Sequence, residues 1–192
     1  MMPSRTFFFL RHGQTDWNRD GRYQGTSDTP LNETGVAQAN AAASAMATVR
    51  INRIVASPLI RALKTAEIVA EKIGVPICVD RDLRERHFGS FESLVIKEVK
   101  QKHGLPLDQS SRSIMPSDAD HWDEIFERVP PAIARWLTTH KSETLLFEAH
   151  GGVFDAIHAH LIGPRVGPES KHASPYKIAP IPSGWLFTLL DE

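Results

Sequence analysis

Three short apolar runs in this chain of 192 residues end on groups that could grip an anion. "FFFL" leads into Arg11-His12-Gly13, "RIVA" into Ser57 with Arg61 close behind, and "TLLFEA" into His150-Gly151-Gly152. An arginine presents a planar fork of donors matched to phosphate oxygens. Glycines let backbone N–H groups approach an anion closely, and a helix N-terminus adds partial positive charge. Two arginines, two histidines and several glycines together ask for a dianion, and phosphate is the obvious candidate. Neutral imidazole is a good nucleophile toward phosphorus near neutral pH. It would split the reaction into two displacements through a phosphohistidine, while the cations neutralise charge on the transferring oxygens. The leaving alkoxide needs a proton, so a carboxylic acid should stand nearby.

These groups meet only if their strands lie side by side, because ligands of open α/β sheets bind beyond the carboxyl ends of the strands. Residues 6–10 read as a continuous buried strand. Runs at 53–58, 76–80, 143–152 and 184–190 read as further strands. Helices are expected from about Asn32, over 93–104, from Trp122 to Leu137, and through "VFDAIHAHLIG". Another should follow Ser57 as its cap, with Pro58 at the first helical position. Pro130-Pro131 predicts a kink or two abutting helices. Residues 105–120, rich in Ser, Asp and Pro, read as a loop. Strands alternating with helices imply an α/β fold: a three-layer α/β/α sandwich with a mostly parallel central sheet and a small helical/loop cap. Residues 1–192 are read as a single domain with 94–125 as the cap.

Composition removes several other functions. With 22 basic and 23 acidic residues the net charge is -1, so no electrostatic partnership with nucleic acid or membrane is expected. No apolar run approaches the length of a membrane span. The single cysteine, Cys78, excludes an intramolecular disulfide and a thiolate metal cluster, and suits a reducing cytoplasm. The totals leave a monomer and a homodimer both open. One residue stands out: Glu148 is a carboxylate in what should be a buried strand, leaning to the same face as His150. Two readings are open. Either it orients a pocket cation, or it pairs with an unrelated Lys, Arg or helix N-terminus.

The segments "LRHGQTDWN", "YQGTSDTPLNETG", "ASPLIRALKTAEIVA", "LRERHFGSFES" and "EAHGGV" resemble, in order, the motifs of the histidine phosphatase superfamily, in its phosphoglycerate-mutase-like branch. The resemblance runs from about Phe7 to Ile157. It implies that His12 is the phosphorylated nucleophile, that Arg11 and Arg61 bind phosphate, that His150 is the second pocket histidine and that Glu85 is the proton donor. It further implies that Asn18 contacts phosphate, that Gln24 and Gly25 line the site, that Gly151 supplies a backbone donor, and that neither metal nor other cofactor is needed. Mutases of this kind usually carry Tyr at Phe88, Lys at Ile96 and an Arg-Arg pair in a long insertion; here 105–120 holds only Arg112. The expected partner is therefore a small soluble phosphate ester that is hydrolysed. Phosphoglycerate mutase activity and a non-catalytic phosphate-binding module are the alternatives. The dephosphorylating members commonly have Trp-Glu-Gly where this chain reads Phe91-Glu92-Ser93.

Overall fold

The computed structural model describes residues 2–164 and 170–190. Its six strands form one sheet in the order β3-β2-β4-β1-β5-β6. They are β1 (Phe7–Arg11), β2 (Arg53–Ala56), β3 (Ile77–Val79), β4 (Leu145–Ala149), β5 (Pro175–Ile181) and β6 (Gly184–Leu189). The first four run parallel to one another, and β5 and β6 are antiparallel additions beside β1. The sheet is mostly parallel, as the alternation of elements implies.

Side-chain alternation builds the layers. Phe7, Phe9, Val55, Phe147 and Ala149 pack to one side against α5 (Glu124–Thr139) and α6 (Gly151–Leu161). Phe8, Leu10, Ile54, Ala56 and Leu146 pack to the other, against α2 (Glu33–Met46) and α3 (Ile60–Ile73). β1 and β4 are buried along their whole length because helices cover both faces. Two short helices complete the set, α1 (Asp16–Arg19) and α4 (Ile96–Lys102). Within 94–125, α4 and a 3-10 turn at Ser111–Ile114 gather around a satellite cluster of Tyr23, Phe91 and Val99.

Three local expectations change. Pro130 and Pro131 sit inside one 16-residue helix rather than dividing two. The buried stripe Ile125, Val129, Ile133 and Leu137 holds that helix on the sheet despite the lost donors. Helix α3 begins at Ile60, not at Pro58, and Ser57 is not its cap. Instead the Asp28 carboxylate accepts from the Ile60 N–H at 2.6 Å, reaching in from a distant loop. Finally, β5 carries Pro175 and Pro180, which hide it from a pattern search because proline rarely enters a strand interior.

Candidate active site

The sheet order makes β2, β4 and β1 consecutive, so their carboxyl ends face one region. The ladder runs one residue past each strand: His12 N–H donates to Ala149 O and Ser57 N–H to Glu148 O, both at 3.0 Å. His12 and Ser57 are thereby fixed by backbone geometry before any side chain acts, and His150 follows directly on β4.

His12 is 3% exposed, and Arg61, the second residue of α3, is fully buried beside it. The Arg61 Nε–H donates to His12 Nε2 at 3.3 Å. Arginine only donates, so Nε2 is the unprotonated nitrogen. Nδ1 carries the ring proton and gives it to Gly13 O at 2.7 Å. The tautomer is thus set with the Nε2 lone pair directed at the arginine. Burial holds the His12 pKa well below the usual histidine range, aided by the charges of Arg61, His150 and Arg11. The rest of the Arg61 fork is anchored to the loop at 25–27: Nη1 donates to Ser27 O at 2.8 Å and Nη2 to Gly25 O at 2.7 Å.

The second histidine closes the other side. The His12 and His150 rings lie 5.2 Å apart. His150 Nε2 meets Ser57 Oγ at 2.7 Å, and burial, then Arg61, Arg11 and Arg128, keep its pKa well below the usual range too. Arg11 donates through Nη1 to Ser170 O at 2.5 Å. Its guanidinium lies against Gly151, 3.6 Å from where a Cβ would stand.

Glu85 reaches the same place from the turn after β3. Its Oε2 accepts from Gly152 N–H at 3.0 Å, within the first turn of α6, and its Oε1 from Arg86 N–H at 2.9 Å. A side chain at Gly152 would occupy the carboxylate's position. Arg128 of α5 straps the turn down by donating to the carbonyls of Asp82, Arg84 and Glu85. Arg86 is buried with its guanidinium 4.0 Å from the Trp122 ring centre, joining the turn to the 94–125 segment.

Of the remaining sequence-derived residues, Gly25 lies in the left-handed region at φ 57° and offers its carbonyl to Arg61. The Gln24 side-chain oxygen accepts from Thr15 and Thr29, bracing two loops. Asn18 Oδ1 accepts from the Thr15 backbone and hydroxyl in the capping box of α1. That leaves the amide nitrogen as the group Asn18 could offer an anion.

The structure adds residues that the motifs do not mark. Thr65 Oγ1 donates to Arg61 O at 2.8 Å and accepts from Gly13 N–H at 3.1 Å, locking the turn after His12 to α3. The His172 ring lies 5.5 Å from that of His12, with Nδ1 3.2 Å from His12 O. It arrives on the approach to β5, where Ala173 N–H donates to Arg11 O. Glu148 is fully buried, and neither carboxylate oxygen has a hydrogen-bond partner among the described residues. The expected pairing with an unrelated cation or helix end is absent there. Burial drives its pKa well above the usual carboxylate range, opposed only by the charge of Arg61. Among the described residues no cluster of His, Cys, Asp or Glu has the arrangement of a metal site, and no helix is long and apolar enough to cross a membrane.

Comparison with known proteins shows the family and the fold. The chain is 34% identical over 155 residues to "Phosphoglycerate mutase-like protein 4" of Arabidopsis thaliana, covering 78% of this chain and 67% of that one. It is 32% identical over 158 residues to "Uncharacterized phosphatase PhoE" of Bacillus subtilis, covering 80% and 76%. Its fold matches a mycobacterial glucosyl-3-phosphoglycerate phosphatase solved with VO3, with a TM-score of 0.81 at 28% identity over 96% of this chain and 98% of that one. Residues 7–176 match the model of the histidine phosphatase superfamily, branch 1, and the chain belongs to that family.

Proposed function

We propose that this protein is a phosphomonoester hydrolase acting on a small soluble phosphate ester through a phosphohistidine on His12. The observation that carries the reading is the His12 Nε2 lone pair, held unprotonated 3.3 Å from the buried Arg61 Nε. Arg11 and Arg61 receive the phosphoryl oxygens, and His150 with the Gly151 N–H at the start of α6 completes the cup. In the first step Nε2 forms a bond to phosphorus as the ester P–O bond breaks. The departing alkoxide takes its proton from Glu85. In the second step water displaces the imidazole, giving its proton back to Glu85 and releasing inorganic phosphate.

Hydrolysis is favoured over phosphoglycerate interconversion by the residues at positions 88 and 96, which pack on the Tyr23, Phe91 and Val99 cluster. Phe88 brings a ring and no hydroxyl, and packs against Tyr23 and the Arg86 guanidinium. Ile96 brings no cation. Selection among esters belongs, in the same proposal, to the segment 94–125. A cytoplasmic setting is also part of it, resting on a composition with the single cysteine Cys78.

The test uses p-nitrophenyl phosphate, a panel of alkyl phosphates and a 2-/3-phosphoglycerate interconversion assay. Replacing His12 with Ala should abolish phosphate release and the acid-labile label on the protein. Glu85→Gln should spare esters with good leaving groups and slow poor ones by about 10²–10⁴-fold. Equal loss on both ester types would remove Glu85 from the proton-donor role. Faster interconversion than hydrolysis would make the enzyme a mutase.

A further inference from the structure

Glu92 lies outside the cup, yet it binds the loop that orients the arginine. Its Oε1 accepts from Thr26 N–H at 2.8 Å, from Phe88 N–H at 3.1 Å and from His87 Nδ1 at 2.7 Å. Its Oε2 accepts from Ser27 N–H at 2.9 Å and from the Ser27 hydroxyl. One carboxylate therefore joins residues 26–27 to residues 87–88, two segments that both lie outside the strands and helices. A side chain at Gly25 would meet that carboxylate directly, and Gly25 turns away with φ 57°. The segment so pinned carries the Gly25 and Ser27 carbonyls that take both terminal nitrogens of Arg61. Its continuation, Asp28, caps α3 one residue before Arg61. Burial pushes the Glu92 carboxyl up, but the hydrogen bonds from Ser27, Thr26, Phe88 and His87 outweigh it and bring the pKa below the usual range. Ionised, the group has only acceptors to offer, which matches the donors around it.

We propose that Glu92 is a positioning residue of the phosphate cup: by pinning residues 26–27 it sets the two carbonyls that aim the Arg61 guanidinium at His12 Nε2. The inference rests on the hydrolase reading for its kinetic consequence, but not for its consequence on phosphate binding. Without the pin, the Gly25 and Ser27 carbonyls move and the fork loses its fixed direction. The cost then falls on whatever Arg61 does, in binding the phosphate dianion and in stabilising its transfer.

A double-mutant cycle tests this. Glu92→Gln puts an amide N–H₂ where one acceptor oxygen meets only donors. Ser27→Ala, a milder change, removes one hydroxyl donor and keeps the carbonyl on Arg61. Each is combined with Arg61 intact and with Arg61→Ala. The readouts are kcat and KM for p-nitrophenyl phosphate and Kd for inorganic phosphate. With Arg61 present, Glu92→Gln should lower kcat by about 10–100-fold and weaken phosphate binding, and Ser27→Ala should do so by about 3-fold. With Arg61→Ala, each should change either quantity by less than about 2-fold. A merely structural role would cost the same factor in both backgrounds, and that result would overturn the inference. Should Glu92→Gln not fold, the Ser27→Ala cycle decides by the same criterion. Should the unaltered protein hydrolyse no ester, the hydrolase reading fails. The cycle in phosphate affinity then still decides the role of Glu92.

Discussion

Burial, and then the charges of Arg61, His150 and Arg11, keep the His12 ring neutral where an exposed histidine would titrate. A neutral ring has a lone pair to give, and the Arg61 and Gly13 bonds dictate which nitrogen carries it. In the proposed reaction the same arginine does two jobs, lowering the pKa of His12 and facing the group that His12 would attack. Replacing Arg61 with Met separates them. Loss of the donors should reduce kcat by about 10²–10³-fold. Loss of the positive charge should let the His12 pKa rise toward its ordinary value, so the acid limb of kcat/KM should move to higher pH. The ionisation of the ester itself is common to both enzymes, so the displacement between their profiles belongs to the protein. Profiles measured from pH 4 to 9 check it, and an unmoved or acid-shifted limb would contradict the electrostatic account.

At the scale of elements, the turn at residues 89–93 holds a strained position. Ser93 sits at φ 74°, in the left-handed region that glycine enters without cost. Its N–H donates to Tyr23 O and its carbonyl accepts from Arg22 Nη1, so the conformation is held from both sides. Glycine at 93 relieves about 1–2 kcal/mol of steric cost and gives back part of that in chain entropy. Ser93→Gly should therefore stabilise the fold by about 0.5–1 kcal/mol in urea unfolding, with the m-value unchanged. The sequence shows Ser93 openly, but the sign of its φ appears only in the structure. Legibility divides in the same way elsewhere. Apolar runs ending on Arg11-His12 and on His150 were readable because a strand end is a local pattern, and the parallel sheet followed from alternation. β5 was not, because Pro175 and Pro180 break the pattern that marks a strand. Thr65 and His172 carry no local signal either, and Ser57 and Glu92 were readable as a strand end and part of a motif but not by what they bind. Each acts through a partner 52 or more positions away, and such pairings exist only after folding. Glu148 was visible as an anomaly, and its lack of a hydrogen-bond partner among the described residues was not.

Across the whole molecule, burying a catalytic cup loads the core with groups whose ionisation differs between folded and unfolded chains. His12 and His150 have depressed pKa values. The unfolded chain binds more protons than the folded one below about pH 6.5, so their contribution to stability is lost as pH falls from there through their folded values. Glu148 has the opposite sign, since its folded pKa is raised. The folded chain binds the extra proton above about pH 4.3, and that contribution is lost as pH rises through the folded value. The two kinds of group confine maximum stability between them. Glu148→Gln isolates the alkaline side, because an amide has no proton to lose and the histidines are the same in both proteins. Below about pH 4.3 the two melting temperatures should run parallel. Above it the parent should fall relative to the Gln variant by up to about 1.4 kcal/mol per pH unit until the folded carboxyl ionises. Calorimetric melting of both proteins from pH 4 to 9 measures that difference. A gap that stays constant with pH would mean that Glu148 is ionised in the folded protein, held by a charge the sheet does not reveal.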